Sequence, residues 1–287
     1  MKRTLVVVVG MLSTVALAAP ARAHHEAIFG PQSSLVLSAP SFASVQTFSR
    51  QLGTAGARTQ ESTMLLSAGV TPFRSLPLSV SAALPMSSID TLDGADGSRR
   101  GLEDAILGVR YRLDLAGLQE RFGKDGNYVM GMAAVELPTG SVDHAAFHGP
   151  LDGMVAATVG IERGPLSWNG YGFYRGHGRD AGGARAGHNL FAGGGMAYTP
   201  FDDPARERLV SLQLGLSYEM YGRSTVDGAA VPDTGGRGLY LHPTVVWGPG
   251  GRVLLFGTTS LPVFEAYRNA ADNNRWRAGA GIIFLLS

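Results

Sequence analysis

The stretch LVSLQLGLSYEMYG, residues 209–222, shows the clearest pattern in the chain. Apolar side chains alternate with small or polar ones, and this period of two is typical of a β-strand with two different faces. The run exceeds the ~5–6 residues of an ordinary strand and is long enough for a tilted strand to cross a bilayer. We therefore predict one strand of a transmembrane wall. Its predicted lipid-facing residues are Val210, Leu212, Leu214, Leu216, Tyr218 and Met220.

The first 23 residues have the pattern of a secretory signal peptide. Lys2 and Arg3 precede an apolar run over residues 5–17, and the small-residue sequence ARA follows at residues 21–23. A basic start, a short apolar core and a small-residue cleavage site are typical of export signals, whereas a retained anchor, the alternative, needs a longer core. We predict removal of residues 1–23. The leader over residues 24–40 would then lie in the periplasm or inside a lumen, as a plug.

Composition restricts the possible cellular locations of the exported chain. The chain has no Cys, which excludes disulfides and a lipidated cysteine, and no later run of ~18 apolar residues, which excludes a helical membrane span. Removing residues 1–23 takes away three of the 24 basic residues and none of the 23 acidic ones, so the net charge becomes −2 and nothing indicates nucleic acid binding. The 40 glycines and the charged fraction of 16 % fit a closed sheet in lipid.

From residue 41 onward the sequence divides into twelve segments of strand length, bounded by turn residues. An even number places both ends of a single-chain bacterial barrel on one side of the membrane. We predict an all-β fold, an antiparallel up-and-down transmembrane β-barrel of about 12 strands, as one domain over residues 41–287. A soluble periplasmic sandwich or lipocalin-like barrel is the alternative. The segments are 41–52, 61–73, 76–86, 102–115, 127–138, 153–163, 166–176, 188–199, 208–222, 238–247, 252–267 and 275–286.

The connections predict the orientation of this barrel. Short turns in the periplasm and longer loops outside are typical of outer-membrane barrels, and aromatic girdles mark both interfaces. Trp168 and Trp247 are predicted at the short-turn rim, and Tyr174, Tyr218 and Trp276 at the other. The predicted short turns are 74–75, 164–165 and 248–251, and the predicted outer loops are 85–101, 139–152, 177–187 and 223–237. Residues 116–126 and 200–207 are longer periplasmic connections.

Two neighbouring segments carry a more specific signal, GLEDAILGVRYRL at residues 101–113 and YVMGMAAVELPTG at residues 128–140. This pair resembles outer-membrane proteins of the "MetA pathway of phenol degradation" family. The resemblance implies a β-barrel that takes up or exports small, often aromatic or hydrophobic, compounds, without identifying the solute. Such barrels commonly end on an aromatic residue that the barrel-assembly machinery reads, whereas here Phe284 is followed by Leu285, Leu286 and Ser287.

Charged residues on the inward parity of the predicted strands are the candidate site. They would form a constriction that selects solutes, or else interior ion pairs that fill and stiffen the barrel. Four methionines on the same parity, Met130, Met132, Met154 and Met196, would fill gaps or provide a soft lining. The predicted lumen-lining residues are Arg110, Arg112, Glu136, Glu162, Arg175, Glu219, His242 and Arg277.

Histidines supply the weak candidates for a metal site. Imidazole suits zinc or copper, but the spacing matches no recognised motif and solvated loop residues explain it equally well. For catalysis, Ser141 and His144 are close in sequence, yet no G-x-S-x-G motif is present and no cofactor motif is found. We predict no enzyme activity. The metal candidates are His24, His25, His144, His148, His177 and His188.

The sequence therefore predicts an outer-membrane channel or transporter for a small solute, embedded in outer-membrane lipid and inserted by the barrel-assembly machinery. A structural or adhesive barrel with a filled lumen is the main alternative. A metal-binding barrel and an outer-membrane enzyme are the others.

Overall fold

The protein is described by a computed structural model that covers residues 41–54, 57–72, 76–92, 98–115, 127–140, 151–203, 206, 208–250 and 252–286. Most of these residues are in antiparallel β-strands, and all twelve predicted strand segments are present. The predicted all-β barrel of twelve strands is confirmed. The predicted signal peptide and the leader over residues 24–40 lie outside the described residues.

The strands that form the barrel wall are 10–15 residues long, apart from one that is broken into two pieces, and three short strands lie outside the wall. Their bounds are β1 (Phe42–Thr54), β2 (Ala57–Val70), β3 (Leu78–Thr91), β4 (Arg99–Leu102), β5 (Ala105–Asp114), β6 (Tyr128–Leu137), β7 (Asp152–Arg163), β8 (Leu166–Gly176), β9 (Ala184–Arg185), β10 (Asn189–Asp203), β11 (Arg208–Tyr221), β12 (Thr225–Val226), β13 (Ala229–Ala230), β14 (Gly236–Gly250), β15 (Val253–Tyr267) and β16 (Asn274–Leu285).

The sheet closes because β1 pairs with both β2 and β16. Around the wall the order is β1, β2, β3, β4 with β5, β6, β7, β8, β10, β11, β14, β15 and β16, which is up-and-down topology. A closed sheet satisfies its backbone N–H and C=O groups within the wall, as a bilayer requires. We call the end with the β7–β8 and β14–β15 connections the short-turn end, and the end with the β8–β10 and β11–β14 connections the long-loop end.

The outer face of the wall is apolar, as the alternation predicts. On β11, Leu212, Leu214 and Leu216 are 44–50 % exposed, whereas Ser211 and Ser217 on the other parity are buried. Exposed aromatic residues mark both rims, since Trp168 and Trp247 lie near the short-turn end and Tyr174 and Trp276 near the long-loop end. Other exposed apolar residues include Val45, Leu66, Val80, Leu107, Val109, Val135, Val155, Val159, Val245, Ile282 and Phe284.

Glycines on the inner face make room for aromatic rings of the neighbouring strand. Phe48 lies opposite Gly279, and Phe256 lies opposite Gly281. A Cβ at Gly279 would lie 2.7 Å from Phe48 Cδ1, and one at Gly281 would lie 2.6 Å from Phe256 Cε1. The rings therefore lie over the backbone of these glycines, which accounts for part of the high glycine content.

The fourth strand of the wall is interrupted, although the sequence predicts a continuous segment over residues 102–115. β4 and β5 both pair with β3, and Glu103 and Asp104 lie between them with buried side chains. The LPTG segment covers the break, because the Gly140 N–H donates to Asp104 Oδ1 at 2.8 Å and the Ala105 N–H donates to Thr139 Oγ1 at 2.9 Å. The two motifs of this hairpin thus satisfy each other's polar groups.

Several predicted connections are shorter in the structure because strands extend into them. β3 continues to Thr91 and β4 begins at Arg99, within the predicted loop 85–101. β10 continues to Asp203 after a register shift between Tyr198 and Phe201, within the predicted connection 200–207. At the long-loop end, β9, β12 and β13 form a small separate sheet that the sequence did not predict.

Pro243 lies in β14 at a local gap in the ladder. Leu241 lies opposite Leu261 of β15 and Thr244 lies opposite Thr258 in the same register, but the β14–β15 pairing is interrupted between them, at Pro243. Proline has no N–H to donate, which explains its place at such a gap.

A short 3-10 helix, Ala270–Asp272, lies between β15 and β16. Among the described residues, no helix has the length and apolar character needed to cross a membrane.

Candidate functional site

The inner face of the wall carries the buried charged residues. Of the predicted lumen-lining set, Arg110, Glu136, Arg175, Glu219 and His242 are each at most 6 % exposed. Arg112 and Arg277 are partly buried, and Glu162 is exposed next to the last residue of β7, at the short-turn end. Each of these residues lies on the strand parity that holds the buried side chains.

Arg277 and Glu219 form an ion pair between strands that are not neighbours. Arg277 is on β16 and Glu219 on β11, with β14 and β15 between them in the wall. Nη1 of Arg277 donates to both carboxylate oxygens of Glu219, at 2.8 and 2.9 Å, and the Tyr221 hydroxyl donates to Glu219 Oε2 at 3.1 Å. The pair therefore bridges four strands inside the barrel. Because both side chains are buried, either charge without the other would be costly.

A hydrogen-bond network connects this pair to the part of β15 that lies at the long-loop end. The Arg277 guanidinium lies 3.9 Å from the centre of the Tyr240 ring. The Tyr240 hydroxyl donates to Glu265 Oε1 at 2.7 Å and lies 2.8 Å from the Tyr267 hydroxyl. Asn274 Nδ2 donates to the same Glu265 oxygen at 2.7 Å, and the Asn274 N–H donates to the Glu265 carboxylate at 3.1 Å. Side chains thus connect β15 and β16 beyond their last paired residues.

A second charged cluster lies across β6, β7 and β8 at the long-loop end. Arg175 binds two carboxylates, since its Nη2 forms an ion pair with Glu136 and donates to Asp152 Oδ2 at 2.9 Å. His177 Nδ1 lies 2.6 Å from the same Asp152 oxygen, and the Gly178 N–H donates to Asp152 Oδ1 at 2.9 Å. Asp152 therefore connects the wall to the start of the loop that follows β8.

His177 belongs to that loop, outside the membrane-spanning strands. Burial lowers the pKa of its imidazole below the usual range, and the nearby Arg175 guanidinium acts in the same direction. The hydrogen bond to Asp152 opposes both effects. The net result is that the neutral imidazole is favoured in the folded protein.

Arg110 and Arg112 follow each other at alternate positions on β5. The Arg110 guanidinium lies 4.9 Å from the centre of the Phe42 ring on β1 and is fully buried. Arg112 lies 4.5 Å from the Tyr128 ring and forms an ion pair with Asp114 at 2.8 Å. Both cations thus lie against aromatic faces, which favours arginine over lysine at these positions.

His242 is hydrogen-bonded to two serines on neighbouring strands. Its Nε2 lies 2.6 Å from Ser217 Oγ on β11, and its Nδ1 lies 2.8 Å from Ser260 Oγ on β15. Ser217 and His242 are both 3 % exposed. The imidazole therefore connects three strands beside the ladder gap at Pro243.

The predicted inward methionines separate into two groups. Met130 and Met154 are 3 % exposed and Met132 is partly buried, in agreement with their parity. The prediction for Met196 is wrong, because it is 47 % exposed and lies opposite Leu214, on the lipid-facing side. The inward parity of β10 is instead occupied by residues such as Phe191, Gly193 and Ala197.

The structure describes only part of the histidine set. His24, His25, His144 and His148 lie outside the described residues, as does Ser141. His177 and His188 are close, since the His177 N–H donates to His188 Nδ1 at 3.3 Å. An accepting Nδ1 places the proton of neutral His188 on Nε2, so the Nδ1 lone pair is engaged by the His177 N–H and Nε2 has none to offer a metal. Within the described part of the chain, no group of three His, Asp or Glu side chains is arranged to hold a metal ion.

Sequence reasoning missed four residues of these clusters, Asp152, Tyr240, Glu265 and Asn274. Asp152 has the inward parity of β7 but precedes the predicted start of that segment by one residue. Glu265 lies beyond a register shift in β14–β15, and Asn274 lies beyond one in β1–β16, so counting parity along the strand assigns both incorrectly. Tyr240 could have been found, because it shares the parity of His242.

Comparison with known proteins supports the fold. No protein-family model and no curated protein matches this sequence. The chain is similar to the crystal structure of an outer membrane channel from Pseudomonas putida F1, with a TM-score of 0.68 and 15 % identity over 86 % of this chain and 96 % of that chain. It is also similar to the β domain of the Bordetella autotransporter BrkA, with a TM-score of 0.51 and 12 % identity over 86 % of this chain and 100 % of that one. The fold is therefore that of an outer-membrane β-barrel.

Proposed function

We propose that this chain is an outer-membrane channel that conducts a small solute through its lumen. The observation that carries the proposal is the contrast between the two faces of one closed wall: leucine, valine and aromatic side chains outside, and buried ionised groups such as Arg277 and Glu219 inside. Polar interiors of this kind line the conduits of transmembrane barrels. The likeness to the P. putida outer membrane channel supports the same proposal.

The solute class is proposed from the inner aromatic residues and from the resemblance to the "MetA pathway of phenol degradation" family. Ring centres of Phe173 and Phe191 lie 5.5 Å apart, those of Phe191 and Tyr221 5.6 Å apart, and those of Tyr221 and Tyr267 5.9 Å apart. Aromatic edges and faces that follow one another along the inner wall suit a small aromatic or otherwise hydrophobic solute.

The test is single-channel conductance of refolded protein, residues 24–287, in a planar bilayer. Stepwise conductance is expected, and Glu219→Gln should shift ion selectivity toward anions because Arg277 then keeps its charge at the lumen wall. Asp203→Asn is the matched control, since Asp203 is the last residue of β10, lies at the short-turn end, and pairs with the exposed Arg206. An open channel whose selectivity is unchanged by Glu219→Gln would show that the conduit does not pass this pair.

A structural barrel with a filled lumen is the second candidate, and one observation favours it. Near the short-turn end an apolar cluster fills the inner side of β1 and β14–β16, formed by Phe42, Val246, Leu254, Phe256 and Ile283. If the folded protein is silent, the recording is repeated without residues 24–40. Conductance in the shortened protein would support the proposed plug, whereas silence in both would favour the structural barrel.

The route to the membrane is also proposed. An N-terminal signal peptide over residues 1–23 would direct export, and the barrel-assembly machinery would insert the strands. Phe284 is followed by Leu285, Leu286 and Ser287, none of which is aromatic. Replacing Ser287 by Phe should therefore raise the yield of folded barrel in cells if the machinery reads an aromatic end.

A further inference from the structure

Arg237 lies on the outer face of β14, at the opposite end of the strand from Trp247. Both residues are exposed, and Trp247 marks the short-turn rim. The ten residues that separate them span about 33 Å along the strand, which a tilt of about 40° reduces to about 25 Å across the membrane. This is the height of the apolar band of an outer-membrane barrel. With the long loops outside, Arg237 therefore lies at the level of the outer-leaflet headgroups.

Apolar residues lie directly beneath this guanidinium. Arg237 Cζ lies 5.8 Å from the centre of the Phe264 ring on β15. Phe264 is 46 % exposed, and its neighbours Val263 and Leu261 are also exposed. Val263 and Phe264 are consecutive, yet both are exposed, because the β14–β15 register shifts between Leu239 and Tyr240. The result is a continuous apolar surface under a cation.

A second cation lies two strands away, on β16. The β1–β16 register pairs Gln51 with Trp276 and Leu52 with Asn274, so Arg275 is an extra residue at a bulge and is exposed. Trp276, beside it, is 39 % exposed. Two acidic residues of this sector are used inside the barrel, where Glu265 accepts hydrogen bonds from Tyr240 and Asn274 and Glu219 binds Arg277.

We propose that this surface, formed by Arg237, Phe264, Arg275 and Trp276, binds a phosphate-bearing lipid of the outer leaflet. A planar guanidinium matches a phosphate through two parallel N–H donors and is less strongly hydrated than an ammonium group. Aromatic residues favour the interface, where one edge of the ring meets acyl chains. The lipid phosphates would bind the two arginines, and an acyl chain would pack on Phe264 and Val263. The site depends on the proposed orientation, with the long-loop end outside.

The test measures how much lipopolysaccharide the folded full-length barrel retains from mixed micelles, by native mass spectrometry. Arg237→Gln and Arg275→Gln are each expected to weaken retention about fivefold, the effect of one basic residue near an anionic membrane surface. Arg206→Gln, an exposed arginine at the short-turn end, is the matched control and should have no effect. Dephosphorylated lipopolysaccharide should bind weakly, and inorganic phosphate at millimolar concentration should not compete.

Equal retention by the wild type and both outer variants would overturn the proposal, and so would equal retention of the dephosphorylated lipid. Competition by inorganic phosphate would also overturn it, because it would indicate a free-anion site without a lipid. Orientation is measured separately. Since the chain has no cysteine, Asp227→Cys, at an exposed position between β12 and β13, can be labelled with a membrane-impermeant maleimide in intact cells. Labelling is expected, and its absence would place the surface in the periplasmic leaflet and overturn the proposal independently of channel activity.

Discussion

Leu214→Arg tests the membrane-facing side of the wall at its most sensitive point. Leu214 is the seventh of the fourteen residues of β11, is 50 % exposed, and lies opposite Met196 on β10 and Pro243 on β14. A residue in the middle of a spanning strand lies near the bilayer midplane, where an arginine on the lipid face costs about 2–4 kcal/mol. This free energy corresponds to a roughly 30- to 800-fold loss in the folding equilibrium. We expect a destabilised barrel that assembles slowly.

The assay combines urea unfolding in lipid vesicles with the gel-mobility shift of the folded barrel on heating. Gln213→Arg is the matched control, because Gln213 is the preceding residue on the same strand and has the inward parity. Its free energy of unfolding should change far less, since the barrel interior is polar. If Leu214→Arg folds like the wild type while Gln213→Arg fails to fold, the facing of β11 is reversed and the proposed membrane wall is refuted.

Three further variants, the second with a matched control, test the inner wall and the start of the loop that follows β8. Arg277→Ala should cost about 3–5 kcal/mol of folding free energy, because the buried Glu219 carboxylate loses its ion-pair partner, as urea unfolding would measure. Gly279→Ala should cost about 1–3 kcal/mol in the same assay, since its Cβ would lie 2.7 Å from an aromatic carbon, whereas Gly257→Ala, with nothing within 4 Å, should change stability by less than about 0.5 kcal/mol. The wild type should lose folding stability as the pH falls below about 6.5, because the pKa of His177 is lowered in the folded protein and the unfolded chain therefore binds the proton more readily. His177→Gln should remove this part of the pH dependence.

For each of these predictions, one experimental outcome would contradict the reasoning. A stable Arg277→Ala variant would mean that water or another cation reaches Glu219. Equal effects of the two glycine substitutions would indicate that backbone propensity, and not the ring, sets the cost at Gly279. For His177, the stabilising contribution is complete above its unfolded pKa and is lost as the pH falls through the lower folded pKa. If the free energy of unfolding depends on pH in the same way in the wild type and in the His177→Gln variant, His177 is not a buried neutral imidazole.

The fold was predictable because period-two alternation needs no knowledge of distant contacts. Residues such as Leu212 and Val155 identify the lipid face from their own strand alone, and turn residues separate the twelve segments. Parity fails where a strand is irregular or where its own sequence does not distinguish the two faces. The break at Glu103 and Asp104 was missed because the residues that satisfy it lie on other segments. Met196 was assigned to the wrong face although β10 is regular there, because Gly193, Gly194 and Gly195 precede it and leave the alternation without contrast.

The candidate site was predictable as a set of residues and not as a set of partners. Inward parity identified Arg175, Glu219 and Arg277, but it does not show that Arg277 crosses two strands to reach Glu219. That pairing depends on the stagger of β11 against β16, which is a property of the closed barrel. Glu265 was missed for a related reason, since the register shift in β14–β15 changes which of its neighbours face inward.

The glycine and aromatic pairs of the inner wall have a consequence for how the chain can vary. Because the Phe48 ring occupies the space where Gly279 would carry a side chain, neither position is independent of the other. Enlarging the glycine displaces the ring, and removing the ring exposes backbone. Exchanging the two residues keeps their combined volume and moves the ring from one strand to the next. The bore of the barrel could therefore be reshaped by paired exchanges of this kind, at positions where either single substitution would be rejected.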